Sequence, residues 1–149
     1  AELRASAPDG ITFLGNLDRQ AMLPTLYASA DAFLFSSHTE TLGLVILEAM
    51  ASGLPVVAAP AGGVADHLRD GVNGLAYPPG DTAAMAQAIA ALVRSPALVQ
   101  RLGAGARSTA EAMSWEVELD RLDASYREVC GNEHAPRAGR RRERLSVPA

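Results

Sequence analysis

Short apolar runs alternate with helix-like stretches between residues 11 and 77, and this alternation restricts the fold more than any other feature of the chain. The run "PVVAA" (55–59) contains no polar residue at all. A strand with one face in water alternates polar and apolar side chains, so a strand that is apolar throughout needs cover on both faces. "ITFLG" (11–15), "DAFLFSS" (31–37) and "NGLAY" (73–77) read as three further strands. Helical patterns occupy 19–30, 43–52, 63–70, 82–94, 97–112 and 115–130. Gly53 and Pro55 supply the stop signal for the second of these, while Asp81 and Ser114 precede the fourth and last as N-caps. The last stretch carries Trp115, Leu119, Leu122, Tyr126 and Cys130 at intervals of three and four, an amphipathic stripe. Strands alternating with helices and covered on both sides predict an α/β fold around a parallel sheet.

The chain has 149 residues, enough for one domain, and with 48% apolar residues it has the material for a buried core. No run of about 18 or more apolar residues occurs, so no membrane-spanning helix is expected. The first ten residues show no basic segment followed by an apolar one, hence no recognisable signal peptide. Cys130 is the only cysteine, which excludes an internal disulfide and suits a reducing cytoplasm. Residues 1–131 hold 8 Arg against 15 acidic residues, an acidic body that argues against nucleic acid as a partner. Residues 132–149 hold 5 Arg against 2 Glu and have no apolar period. Two regions are therefore expected, a folded domain over 1–131 and a basic disordered tail over 132–149, with contact between the tail and anionic lipid as a secondary expectation. There is no lysine, so a lysine Schiff base is impossible. No cluster of metal-ligating residues is visible in the sequence, and no metal is expected.

The densest segment is "SSHTETLGLVILEAMASGLPVVAAPAGG" (36–63), with Glu40 and Glu48 eight residues apart. It is a strand–loop–helix junction, and open α/β sheets bind ligands outside the carboxyl ends of their strands. The first N–H groups of the helix, on Gly43, Leu44 and Val45, lack intrahelical partners and with the helix dipole make an anion site. Gly43 has no Cβ and lets a phosphate approach the backbone. At about 100° and 1.5 Å per residue the two glutamates cannot form a stripe on one helix face. Glu40 belongs in the loop, and Glu48 lies one to two turns inside, its side chain leaning back toward the helix start. Carboxylates repel phosphate but accept hydrogen bonds from hydroxyls, so the arrangement asks for a phosphate flanked by two polyols. A nucleoside diphosphate sugar has that layout. His38 beside Glu40 reads as a solvated loop residue, and His67 as a partly exposed helix residue without a role.

Glu40-x7-Glu48 continued by "EAMASGLPVV", then "AGG" and "DGVNGLAYPPGD", resembles the retaining group 1 glycosyltransferases of the GT-B fold. The likeness runs through most of residues 11–131, including "ITFLGNL" and the "SW" helix start at Ser114–Trp115. The resemblance implies the carboxyl-terminal donor-binding domain, a partial Rossmann-like, doubly wound parallel sheet. It implies that Glu48 holds the ribose hydroxyls and that Glu40 lies against the donor sugar as the catalytic carboxylate. By the same resemblance the backbone of Leu42, Gly43 and Leu44 meets the sugar and diphosphate, and Gly15–Leu17 lies near the base. The donor substrate is then a nucleoside diphosphate sugar and no separate cofactor is needed; the lone cysteine suggests a cytoplasmic location, with peripheral membrane contact through the basic tail as a secondary expectation. Leu42 departs from the family, which often has Phe there.

The family also carries an N-terminal acceptor domain, two further strands that are central to the sheet, and a basic pair that neutralises the diphosphate. None of these matches a segment of this chain, and Arg19, Arg69 and Arg94 do not match the basic pair. The first central strands being missing, either a gap in the sheet or a non-native pairing of 11–15 with 31–37 is expected, with apolar surface exposed in both cases. The chain alone is expected not to turn over. Two alternatives stand beside this reading: a sugar-nucleotide epimerase of the same architecture, and a non-catalytic nucleotide-binding or interaction module from a truncated gene.

Overall fold

The computed structural model describes residues 2–130; the basic tail expected over 132–149 lies outside them. Two compact units divide the chain, the first Ala1–Ala112 and the second beginning at Met113. The first unit contains α1 (Glu2–Ala5), α2 (Leu23–Ala28), β1 (Phe33–Phe35), α3 (Leu44–Ala51), β2 (Val56–Ala58), α4 (Val64–His67), β3 (Gly74–Ala76), α5 (Thr82–Arg94) and α6 (Pro96–Glu111). The second contains α7 (Trp115–Val129), capped by Ser114 and laced by Arg121–Glu118 and Arg127–Asp123 ion pairs. Among the described residues no single helix is long and apolar enough to cross a membrane.

The sheet is parallel throughout, in the order β1-β2-β3. Its register aligns Phe33 with Val56 and Gly74, and Phe35 with Ala58 and Ala76, so the three strands end level. The loops that follow them therefore leave from one edge. β2 is buried along its whole length, and its side chains alternate between two cores. Val56 and Ala58 join Ile46, Met50, Val64, Leu68 and Ala106 on one side. Val57 and Ala59 join Tyr77, Leu92 and Leu102 on the other. This two-sided cover explains why "PVVAA" contains no polar residue, and each fully buried valine gains about 1.5–3 kcal/mol over an exposed one.

Small residues set the closeness of the layers. A Cβ on Gly74 would stand 2.1 Å from the Val56 carbonyl oxygen, and one on Gly103 of α6 would stand 2.4 Å from that of Gly53. The buried Asn73 side chain accepts from the Arg69 N–H (2.8 Å) and donates to the His67 carbonyl (2.8 Å) and Thr109 Oγ1 (3.1 Å). It thereby ties the end of α4 to α6.

Residues 11–15 form no strand, contrary to the sequence expectation. A strand needs a partner for its N–H and C=O groups, and among the described residues β1 pairs only with β2. The non-native pairing of 11–15 with 31–37 does not form either; β1 stands as an edge of the sheet. Ile11, Phe13 and Leu14 are more than two-fifths exposed, and Leu34 of β1 is 44% exposed, so apolar surface lies open on both segments. The helix expected over 19–30 is confined to Leu23–Ala28. Asp18 explains the late start: its carboxylate accepts from the N–H groups of Gln20 (3.0 Å) and Ala21 (2.6 Å), holding 19–21 as a turn, and Pro24 sits in the first helical positions.

Candidate functional site

The loop after β1 is shaped by Glu40. Its Oε1 accepts from the N–H of Thr41 (3.1 Å) and of Gly43 (3.2 Å). Gly43 is the N-cap of α3 and adopts φ +75°, ψ 33°, a left-handed conformation that favours glycine. The Gly43 N–H, expected from the sequence to be open to a ligand, is therefore taken by the loop's own carboxylate. A short acidic side chain three residues before the cap reaches it, and a helix start rewards any nearby anion. Glu40 keeps Oε2 as the oxygen able to accept from a ligand hydroxyl.

A second turn buttresses this loop. Gly63 N–H donates to the Glu40 carbonyl at 2.8 Å. A Cβ on Gly62 would meet that oxygen at 2.2 Å, and one on Gly63 would meet the Thr41 oxygen at 2.4 Å. The pair of glycines in "AGG" is thus what lets the start of α4 press against the Glu40–Thr41 backbone. From the end of α4, His67 Nε2 reaches the Leu42 carbonyl at 2.7 Å. His67 is 4% exposed, which corrects the expectation of a partly exposed helix residue. A helix of four residues has too few positions for periodicity to show which face is buried. His38 is exposed, as are Leu42 and Leu44, whose backbones line the mouth of α3.

Glu48 lies one turn inside α3 and faces elsewhere. Its Oε1 is held by the Arg19 guanidinium. Its Oε2 is buried without a hydrogen-bond partner. Both groups line a cavity of about 250 Å³ shared with Leu23, Pro24, Tyr27, Ala51 and Ser52. Burial, and secondarily the Glu48 charge, raises the Tyr27 phenol above its usual 10.0, while Arg19 pulls it down. The ion pair joins residues 29 apart in sequence, so no local pattern could have shown it. Gly15 is exposed at φ +71°, and Leu17 lines a separate shallow apolar depression with Leu14 and Met22. The turn Gly15–Leu17 thus leads within two residues to the arginine on Glu48. Glu40 and Glu48 share no partner: one serves the helix mouth, the other this side cavity.

The site thus sits on a parallel α/β sheet with a glycine-capped helix after its edge strand, and with carboxylates at that helix's mouth and flank. The family model described as "Glycosyl transferases group 1" matches residues 1–95. The chain belongs to the group 1 glycosyl transferases. Among curated group 1 relatives, the D-inositol 3-phosphate glycosyltransferase of Geodermatophilus obscurus is 46% identical over 105 residues, covering 70% of this chain and 23% of that protein. Sucrose-phosphate synthase of Thermosynechococcus elongatus superposes with a TM-score of 0.72 at 34% identity, over 80% of this chain and 30% of that one. HepE of Anabaena, solved in complex with UDP, superposes with a TM-score of 0.66 at 31% identity, over 74% of this chain and 30% of that one. The chain spans about a quarter of the length of the curated relatives it matches. These likenesses to group 1 enzymes of the GT-B architecture agree with the α/β fold read from the alternating runs.

Proposed function

We propose that the chain is the donor-binding part of a retaining glycosyltransferase, which moves a sugar from a nucleoside diphosphate to an acceptor hydroxyl with retention at the anomeric carbon. The observation that carries this reading is Glu48: one carboxylate oxygen is held by Arg19, and the other is buried without a donor. A buried carboxylate oxygen without a partner costs free energy, and a ribose hydroxyl entering the adjacent cavity would supply the missing proton. In this reading Glu40 accepts from hydroxyls of the donor sugar, and the amides of Leu42, Gly43 and Leu44 face the diphosphate. Gly15 and Leu17 lie on the base side. Family membership and the UDP complex of HepE support the nucleotide half of the assignment.

The residues present contribute by positioning and by preorganised dipoles at the leaving diphosphate. An acceptor-binding domain and the basic counter-charge for the diphosphate belong, in this reading, to a longer enzyme, so the 149-residue chain binds donor without turnover. A cytoplasmic location, with the basic residues of 132–149 touching anionic lipid, completes the reading. Calorimetric titration with UDP, GDP, ADP and UDP-glucose tests it. Saturable binding of one nucleoside diphosphate, weakened in a Glu48→Ala variant of unchanged fold, supports the reading. No binding by any of the four, or binding indifferent to Glu48, overturns it.

A further inference from the structure

We propose that His67 is the positioning residue of the helix mouth: its buried imidazole holds the Leu42 carbonyl, and so aims the Gly43 amide of the same peptide unit. The inference rests on reading the mouth of α3 as the seat of the donor diphosphate. A carbonyl oxygen can only accept, so the 2.7 Å contact requires the proton on His67 Nε2. The Leu42 C=O and the Gly43 N–H lie in one planar trans unit and point in opposite directions. That unit is held at both ends, by His67 on the oxygen and by Glu40 Oε1 on the N–H at 3.2 Å. When a ligand displaces Glu40 from the amide, the hold on the carbonyl is what remains to keep the N–H directed into the mouth.

Other observations separate this from simple packing. His67 Nδ1 is buried without a partner, a cost that an aliphatic residue in the same place would not incur. Its helix neighbours Val64 and Leu68 are aliphatic and fill the core beside it. The imidazole also flanks Gly43, with Cδ2 3.5 Å from where a Cβ on that residue would stand. Its backbone is itself fixed, because Asn73 Nδ2 donates to the His67 carbonyl at 2.8 Å. The imidazole is thus anchored at its base and donates from Nε2 to the loop.

Two replacements of similar length isolate the donor. His67→Gln keeps an N–H near the position of Nε2, and His67→Met does not. In the 149-residue chain, His67→Met is expected to weaken UDP binding about five- to tenfold, the worth of one hydrogen bond, and to speed amide hydrogen exchange at Gly43 and Leu44. His67→Gln is expected to stay within about twofold of the parent in affinity and to keep its exchange rates. Equal affinity and equal exchange in the two variants overturn the proposal and leave His67 a packing residue. Should the Met variant fail to fold, His67→Asn, whose amide is one methylene shorter, takes its place with the same expectations. If the parent chain binds no UDP, the donor reading fails, and exchange at Gly43 alone decides the positioning role.

Discussion

Replacing Gly63 by alanine tests whether the Glu40 loop depends on close backbone packing against the start of α4. Gly63 has φ −62° and ψ −15°, a conformation that alanine adopts freely, so no backbone strain enters. The new Cβ would stand 2.4 Å from the Thr41 carbonyl oxygen, which must retreat beyond 3.0 Å. The Gly63 N–H to Glu40 carbonyl bond of 2.8 Å lies within the same contact and is lost or stretched by that retreat. Overpacking of this kind costs about 1–3 kcal/mol, and the hydrogen bond adds about 1 kcal/mol. Gly53→Ala is the control: φ is +79° with nothing within 4 Å, so its cost is backbone strain alone, about 1–2 kcal/mol. Urea denaturation of both variants, with UDP titration of each, separates the two effects. Gly63→Ala should lose stability and UDP affinity together, and Gly53→Ala stability alone. A Gly63→Ala protein that binds UDP like the parent would refute the claim that this packing shapes the site.

Three further outcomes follow from the geometry. Glu48→Ala removes an ion pair that is largely exposed on the Arg19 side, so the denaturation midpoint should shift by under about 1 kcal/mol while UDP binding falls by about 1–3 kcal/mol; a large loss of stability would make Glu48 structural. Asn73→Ala strands the Arg69 N–H and the His67 carbonyl, and should cost about 2–4 kcal/mol in urea denaturation; a loss below about 1 kcal/mol would mean water replaces it readily. Tyr27 is raised above 10.0, so its contribution to stability is complete below that pH and is lost as pH rises through the folded-state value. Tyr27→Phe should therefore flatten the alkaline fall of the denaturation midpoint, and an unchanged fall would show that another group controls it.

Local signals in the sequence sufficed for the caps of two of the longer helices. Asp81 caps α5 by accepting from Ala84 N–H (2.8 Å) and Ser114 caps α7 by accepting from Val117 N–H (3.4 Å), and α5 runs over the expected 82–94. The apolar character of 55–59 correctly announced a strand covered on both faces. Residues 11–15 carry an equally strand-like pattern, yet strand formation needs a neighbour, and propensity alone supplies none. At the site, the loop position of Glu40 and the inner position of Glu48 follow from helix geometry. The Arg19 contact does not, because it depends on a turn set by Asp18 and on an approach of distant segments. Nor could burial of His67 be read from a four-residue helix, although the two glycines just before it mark a place where backbones meet.

Glu40 seated on the Gly43 amide has a consequence for which anions the helix mouth admits. The carboxylate is tethered three residues away, so it competes for that amide at an effective concentration that a free ion must overcome. Inorganic phosphate or sulfate, offering one contact, would have to evict this resident and then withstand its charge. A ligand anchored elsewhere on the chain arrives as a tethered rival and contests the amide on equal terms. On the proposed reading of the helix mouth as a diphosphate seat, the loop thus carries its own occupant, which would screen out small anions and yield to a guest held at a second point.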